Sequence, residues 1–275
     1  MVGGKAALIK PYKCIGHGMC AEACPVGAIT MVQAAPGVSA NLPYLTTELE
    51  TSVPNLFITG ELGGLALIRN TVNQGRDCID TIAGRLASVD RGAREPDVYD
   101  VAIVGAGPAG ISASLRSIER KLHYVTLERD AVGGSVSKYP RQKLVMTSPV
   151  EFPLVGRFKK TQLSKEDLLE FWKTVCDREG FQVQVGQPVE KIHKDPDGLF
   201  TVGTPTTQYR ARAVALAMGR SGTPRKLGAK GEELAKVMYR LIEADHYVNH
   251  RILVVGGGDS AVEAALGLAM QKGTA

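Results

Sequence analysis

The chain has 275 residues, a formal net charge of +5, 44% hydrophobic residues and 5% aromatic residues. This length allows one or two domains with their own apolar cores. No apolar run reaches the roughly 18 residues of a membrane helix, and the N-terminus lacks the apolar stretch of a secretory signal. The basic residues are scattered and aromatic residues are few, which argues against a nucleic-acid surface. We therefore expect a globular protein of the cytoplasm that binds neither membranes nor nucleic acids.

Cysteines are concentrated near the N-terminus, where three of the five fall within eleven residues. Cys14, Cys20 and Cys24 keep the spacing of the run C-x2-C-x2-C-x3-C-P, with His17 at the second cysteine position. Thiolates at such spacing are suited to iron–sulfur clusters. The residues around Cys24 also resemble bacterial ferredoxins. Residues 1–32 are therefore predicted to form a ferredoxin-like iron–sulfur module whose metal ligands are Cys14, His17, Cys20 and Cys24.

The histidine leaves the type of metal site open. A [3Fe–4S] cluster needs only the three thiolates, whereas a [4Fe–4S] cluster would take His17 as its fourth ligand. A degenerate, empty loop and a structural zinc site are the other interpretations. In two-cluster ferredoxins the cysteine before proline ligates the other cluster, and this chain has no second run. We expect either that Cys24 closes the local site or that a second cluster module or electron-transfer protein is a partner.

Residues 33–97 are predicted to contain a linker followed by a strand and a helix. The stretch 33–53 is mixed in composition and contains proline, which is typical of a linker. An apolar strand then ends at Gly60-Glu61, and a helix is predicted from about 64 to 86. The charged stretch 90–97 connects this part to the rest of the chain.

A glycine motif follows the apolar run 99–104 and opens a helix predicted over 107–121. Gly105 permits a tight turn, Gly107 lets the backbone approach a pyrophosphate, and Gly110 lets the helix pack closely on the strand. The helix N-terminus favours the phosphate charge. The residues of the motif are Gly105, Gly107, Pro108, Ala109 and Gly110.

An acid follows this motif at the distance that dinucleotide binding requires. The run 123–128 is predicted to be a strand that ends in Glu128, where a carboxylate can bind a ribose hydroxyl. A helix is predicted over 164–179, capped by Ser164. Short strands are predicted over 181–185, 189–193, 199–202 and 208–210.

A second glycine motif follows the run 251–255, for which a strand is predicted, and a helix begins at about 258. Two such motifs indicate two dinucleotides on one protein. Residues 225–275 are too few to form a doubly wound sheet, because one βαβ unit alone takes about 30 residues or more. We therefore expect the truncated beginning of an NAD(P) domain from a longer protein. Its predicted nicotinamide-cofactor residues are Gly256, Gly258, Asp259, Ser260 and Ala261.

Three further segments resemble the thioredoxin-reductase-like FAD- and NAD(P)-dependent pyridine nucleotide oxidoreductases. They are 53–70 with its Gly60-Glu61, the loop 133–140 and the strand 213–219, and with the motifs the resemblance covers roughly two-thirds of the chain. It implies an α/β protein whose residues 98–224 form a Rossmann-like FAD domain of the three-layer ββα type. It also implies NAD(P)H as hydride donor and a homodimer. The implied further FAD contacts are Gly60, Glu61, Gly134 and Gly219.

The order of these segments departs from the family, in which the Gly-Asp or Gly-Glu segment comes last. One account is a permuted FAD domain, in which residues 54–90 complete the fold that begins at 97. The other is a tandem protein, in which they are the tail of an upstream module.

The dithiols of the disulfide reductases are missing. The stretches 237–249 and 132–138 contain no cysteine, and Cys78 and Cys176 are predicted to be buried core residues. Electrons therefore need another exit, and a flavin can take a hydride and release electrons singly. We predict an enzyme, an FAD-dependent oxidoreductase that passes electrons between NAD(P)H and an iron–sulfur cluster. The alternatives are a flavin-dependent reductase of a small disulfide or organic substrate with a vestigial cluster loop, and a non-catalytic electron-transfer subunit.

Overall fold

A computed structural model describes residues 45–63, 67–88, 95–141, 143–219, 224 and 226–271. The chain divides after Tyr44 into two units, and the described residues all belong to the second. The predicted cysteine-loop module, with Cys14, His17, Cys20 and Cys24, lies outside the described residues.

The described part of the chain contains eleven strands and four α-helices. The strands are β1 (Leu56–Ile58), β2 (Val98–Val104), β3 (Tyr124–Glu128), β4 (Leu144–Met146), β5 (Val150–Phe152), β6 (Gly156–Phe158), β7 (Gln162–Ser164), β8 (Gln184–Val185), β9 (Lys191–Lys194), β10 (Phe200–Gly203) and β11 (Gln208–Leu216). The α-helices are α1 (Ile68–Ala87), α2 (Pro108–Glu119), α3 (Lys165–Glu179) and α4 (Asp259–Ala269).

One sheet organises the domain. Strands β8, β3, β2 and β11 lie side by side in parallel, and β1 pairs in parallel with the end of β11. The other half of β11 pairs antiparallel with β10, which pairs with β9. The remaining strands form two small ribbons, β4 with β7 and β5 with β6.

Side chains of β2 alternate between two apolar cores, because successive residues of a strand point to opposite faces. Val101 and Ile103 pack in the core that contains residues of α1 and α2. Ala102 and Val104 pack in the core that contains Phe200 and other residues of the antiparallel strands. Both faces of the parallel strands are thus covered, and the predicted Rossmann-like α/β class with three layers is confirmed.

Helix α1 lies against α2 with very little space between them. Ser112 Oγ donates a hydrogen bond of 2.7 Å to the carbonyl oxygen of Val72, and Arg116 forms an ion pair of 2.8 Å with Asp80. A Cβ atom built on Gly75 would lie 2.2 Å from the carbonyl oxygen of Ala109. Only glycine at position 75 allows this approach of the two backbones.

The early segment of the chain belongs to the same sheet as the first glycine motif. Leu56 pairs with Val214 and Ile58 pairs with Leu216, both in parallel register. The arrangement is the one that a permuted domain requires, with residues 56–87 supplying a strand and a helix to the fold that contains β2.

Several local predictions are confirmed with shifted ends. The helix predicted over 107–121 is α2, and the helix predicted over 64–86 is α1, which begins at Ile68 because Leu67 before it has an extended backbone. Ser164 caps α3 by accepting a hydrogen bond of 3.0 Å from the backbone N–H of Asp167. The strand predicted over 208–210 and the strand implied by the resemblance over 213–219 are one continuous strand, β11.

The strand predicted over 251–255 is wrong. These residues have no strand partner in the described part of the chain, and Leu253 and Val255 are 85% and 63% exposed. An extended segment becomes a stable strand only when its N–H and C=O groups are paired across a sheet.

No α-helix among the described residues is both long enough and apolar enough to cross a membrane.

Substitution of Gly75 by alanine tests the contact between α1 and α2. We expect Gly75→Ala to lower the free energy of unfolding by about 1–3 kcal/mol, since the backbone of Ala109 must move away. Gly84 on the same helix is exposed and has no heavy atom within 4 Å of a built Cβ. Gly84→Ala should therefore raise the free energy of unfolding by about 0.5–1 kcal/mol. Urea denaturation of both variants measures the difference, and equal effects would contradict this packing.

Candidate functional site

A cavity of about 480 Å³ lies where β2, β11 and the segment after β1 end. Of the ten residues predicted to bind FAD, nine line it and Gly110 does not. The nine are Gly60, Glu61, Gly105, Gly107, Pro108, Ala109, Glu128, Gly134 and Gly219. Segments that are distant along the chain therefore meet at one site.

The three glycines of the first motif have separate tasks. Gly105 has a φ of +105°, and a Cβ there would lie 2.6 Å from the carbonyl oxygen of Ala217. A Cβ on Gly110 would lie 1.8 Å from the carbonyl oxygen of Gly105, so this glycine is required for the packing of α2 on the sheet. Gly107 differs, because the only heavy atom near its built Cβ is the Cα of Gly134, at 3.8 Å.

The open space beside Gly107 is the observation that fits a dinucleotide. Gly107 caps the N-terminus of α2, where free N–H groups and the positive end of the helix dipole favour a phosphate. It also lines the cavity. A side chain at this position would fill the space that a pyrophosphate would occupy against the backbone.

Glu128 is 8% exposed, and its carboxylate is held by two backbone groups. The N–H of Ala106 donates a hydrogen bond of 2.7 Å to one oxygen, and the N–H of Asp130 donates one of 2.8 Å to the other. Two charge-assisted hydrogen bonds fix the carboxylate at the end of β3. A carboxylate can accept about four hydrogen bonds, so both oxygens keep capacity for a ribose hydroxyl.

The segment after β1 reaches the cavity through a constrained turn. Gly60 has a φ of +86°, and its N–H donates a hydrogen bond of 2.8 Å to Oε1 of Gln74 on α1. Glu61 follows in a short 3₁₀ turn, Glu61–Gly63. Helix α1 thus positions the turn that brings Glu61 to the cavity wall.

Sequence reasoning missed part of the cavity wall. Lys138 and Tyr139 of the loop 133–140 line the cavity, and so do Ile68 and Thr71 of α1. The resemblance of this loop to the family is a signal that could have found Lys138 and Tyr139. Other lining residues that were not predicted include Arg129, Asp130, Gln187, Pro188 and Val189.

Two cationic side chains flank Asp130 in the cavity wall. Lys138 and Arg129 both form ion pairs with Asp130, and their hydrogen bonds lower the pKa of that carboxyl. Asp130 therefore remains an anion at neutral pH, and its charge is balanced.

The second glycine motif does not line this cavity. Gly258 caps α4, which begins at Asp259 and continues through Ser260 and Ala261, and Gly256 has a φ of +132°. The turn and the helix of the motif are therefore present without the paired strand that would precede them. The described residues therefore contain only part of the site that the sequence predicts for a nicotinamide cofactor.

The family follows from a comparison with family models. Residues 102–274 match the model described as pyridine nucleotide-disulphide oxidoreductase, which is more than half of the chain. The chain belongs to this family. Residues 7–30 match a second model, described as a 4Fe-4S binding domain.

Relatives within the pyridine nucleotide-disulphide oxidoreductases carry two kinds of name. The ferredoxin–NADP reductase of Lacticaseibacillus paracasei is 30% identical over 176 residues, which are 62% of this chain and 51% of that protein. The thioredoxin reductase of Listeria monocytogenes is 34% identical over 176 residues, 62% of this chain and 50% of that protein. The chain thus spans about half the length of the curated relatives it matches.

A solved structure in the same group has a similar fold. The bacillithiol disulfide reductase of Bacillus cereus is 26% identical, with a TM-score of 0.58 over 64% of this chain and 56% of that protein. This likeness agrees with the Rossmann-like sheet described above.

The described part of this family member contains two cysteines, and they do not form a pair. Cys78 and Cys176 are both buried and free, as predicted. Burial raises the pKa of the Cys176 thiol to about 11, and it raises that of Cys78 further. A thiol with a raised pKa is a poor nucleophile at neutral pH, because the thiolate is the reacting form.

Alkylation tests this assignment of the two thiols. A pKa of about 11 for Cys176, against an ordinary value of 9.0, leaves about 100-fold less thiolate at neutral pH. We expect iodoacetamide to label Cys176 at least about 100-fold more slowly in the native protein than in urea. The native rate should rise with pH until it approaches pH 11. Peptide mapping by mass spectrometry measures both rates, and equal rates in buffer and in urea would contradict burial.

Proposed function

We propose that the chain is part of an FAD-dependent oxidoreductase that passes electrons between NAD(P)H and an iron–sulfur cluster. The observation that carries the proposal is the cavity in which the first glycine motif, Glu128 and the Gly60-Glu61 turn meet. This combination has the chemistry that a dinucleotide requires along its length: an open helix N-terminus, a fixed carboxylate and a constrained second turn.

We assign each part of the cavity to the part of FAD that it would bind. Gly107 and the N-terminus of α2 would hold the pyrophosphate, and Glu128 would accept a hydrogen bond from a ribose hydroxyl. Gly60 and Glu61 would lie toward the flavin end, with Gly134 and Gly219 along the cavity wall. FAD supplies the chemistry, since it takes up a hydride and can release electrons one at a time. The protein's own residues bind and orient it.

The FAD domain in this proposal is permuted. Residues 56–87 supply β1, the Gly60-Glu61 turn and α1 to the sheet that contains β2 and β11. The pairing of Leu56 with Val214 supports this assignment over a tail that belongs to an upstream module.

An iron–sulfur cluster is the proposed electron partner of the flavin. The described residues contain no pair of reactive thiols, whereas the run 14–24 keeps the ferredoxin spacing and falls within the match to the 4Fe-4S binding domain. Cys14, Cys20 and Cys24 are the proposed thiolate ligands, and His17 is the proposed ligand at the remaining position. An electron-transfer protein or second cluster module, a homodimer and a reducing cytoplasmic compartment complete the proposal.

A second candidate function is the reduction of a small disulfide. It is favoured by the relative named thioredoxin reductase and by the similar structure named bacillithiol disulfide reductase. In that case the cluster loop would be dispensable, and the flavin would reduce the substrate without a thiol of this chain, because the remaining cysteines Cys14, Cys20 and Cys24 all lie in that loop.

Substitutions in the first motif separate cofactor binding from folding. We expect Gly107→Ala to weaken FAD binding at least about 10-fold, because the methyl group takes the space beside the helix N-terminus. The free energy of unfolding without FAD should change by no more than about 1 kcal/mol, since Gly107 has an ordinary φ of −77°. Gly110→Ala is the matched control, and it should lower the free energy of unfolding by about 3 kcal/mol or more.

Fluorescence titration with FAD and urea denaturation measure these two effects. If Gly107→Ala binds FAD as tightly as the parent protein, the proposed place of the pyrophosphate is wrong.

Cysteine substitutions in the full chain test the electron path. We expect Cys20→Ala to lose most of its iron and its EPR signal, because one of three thiolate ligands is gone. Cys176→Ala is the control and should keep both, since Cys176 is a buried residue of α3. NADH or NADPH, added anaerobically, should bleach the bound flavin in the parent protein and in both variants.

Three results would count against the proposal. Iron retained in Cys20→Ala would remove the cluster assignment. Flavin that neither nucleotide bleaches would favour a non-catalytic electron-transfer subunit. Disulfide reduction by Cys20→Ala at the parent rate would favour the second candidate function.

A further inference from the structure

A short strip of the FAD domain, residues 139–141 and 143, lies between the cofactor cavity and the segment that carries the second glycine motif. Tyr139 lines the cavity. The ammonium group of Lys143 lies 4.5 Å from the centre of the Tyr139 ring and 2.5 Å from a carboxylate oxygen of Glu263. Glu263 belongs to α4, the helix that the second motif opens. One side chain therefore contacts both the cavity wall and the helix of the second motif.

The strip also contacts the chain ahead of the second motif. The N–H of Arg141 donates a hydrogen bond of 3.1 Å to the carbonyl oxygen of Ile242, and the Arg141 guanidinium lies 2.7 Å from a carboxylate oxygen of Glu243. The segment 226–271 is thus held to Arg141 and Lys143 on both sides of its glycines.

Packing supplies little else to orient α4. Leu268 is its only buried residue, and Val262 and Leu266 are 51% and 55% exposed. The preceding residues 251–255 are not paired into a sheet. Ion pairs and hydrogen bonds of charged side chains therefore contribute more to the orientation of α4 than they would in a helix with a buried apolar face.

The cavity side of the strip is anchored. Lys165 donates a hydrogen bond of 2.6 Å from its ammonium group to the carbonyl oxygen of Tyr139. The backbone N–H of Lys165 donates another, of 2.9 Å, to the carbonyl oxygen of Lys143. The N-terminus of α3 therefore fixes the strip, and Lys143 extends from a rigid base.

We propose that Lys143 is a positioning residue that sets the orientation of the nicotinamide-cofactor motif relative to the flavin end of the cavity. Its ion pair with Glu263 holds α4, and its contact with Tyr139 relates that position to the cavity wall. The inference rests on the proposed function, because the orientation matters only if hydride passes between the two sites. A misplacement of about 1 Å can lower the rate of such a transfer by up to about 100-fold.

Charge reversal in the full chain tests the contact itself, without any cofactor. We expect Lys143→Glu and Glu263→Lys each to speed hydrogen exchange of the amides of α4 by about 2- to 5-fold, the range for loss of a partly exposed ion pair. The double variant, which restores opposite charges, should return exchange to the parent rate. Lys173→Glu is the control, since it reverses one charge of the exposed ion pair between Lys173 and Asp177 on α3, and it should leave α4 unchanged. Parent-like exchange in both single variants would overturn the proposal.

Kinetics separate positioning from a merely structural contact. We expect Lys143→Glu to lower the rate of flavin reduction at saturating NAD(P)H by about 10-fold, with the half-saturating concentration nearly unchanged. The double variant restores the ion pair with α4 but not the cation beside the Tyr139 ring, so it should recover part of the rate. A loss confined to the half-saturating concentration, or no recovery in the double variant, would overturn the positioning role. A parent protein that NAD(P)H does not reduce would instead overturn the proposed function, while the exchange experiment still reports on the contact.

Discussion

The structure depends on two places where backbones meet with no side chain between them. At Gly110, helix α2 rests directly on the turn that follows β2, and at Gly75 helix α1 rests directly on α2. Interiors packed this closely transmit any change in volume to their neighbours. Sheet, α2 and α1 therefore behave as one body, and the cavity opens at the edge where the three meet. The geometry of the cofactor site is a consequence of this stacking.

Sequence reasoning succeeded where the determinants are local. The first glycine motif, its helix and Glu128 lie within about thirty residues, and each is specified by a turn, a cap or a short-range spacing. The cap of α3 at Ser164 is equally local. The pairing of β1 with β11 could not be decided in this way, because it joins residues 158 positions apart. The ribbons β4–β7 and β5–β6 were missed because strands of three residues have too short a pattern to recognise.

The second glycine motif also combines a part with local determinants and a part with long-range ones. Its turn and helix form, since a helix satisfies its hydrogen bonds within its own segment. Its strand does not form among the described residues, since a strand takes its partners from elsewhere. The apolar pattern of 251–255 therefore predicts a strand only if another strand pairs with this segment. Among the described residues, α4 is held by ion pairs such as that of Lys143 with Glu263.

The position of β1 at the start of the domain has a consequence for synthesis on the ribosome. Phe57 and the apolar face of α1 leave the ribosome long before β11, with which β1 must pair. At about 5–20 residues per second, the intervening chain takes about 8 to 30 s to appear. During this interval the apolar face of α1 has only α2 and the early strands to cover it. The early position of β1 and α1 thus delays closure of the sheet until β11 has been synthesised, and the apolar face of α1 stays partly uncovered through most of this interval.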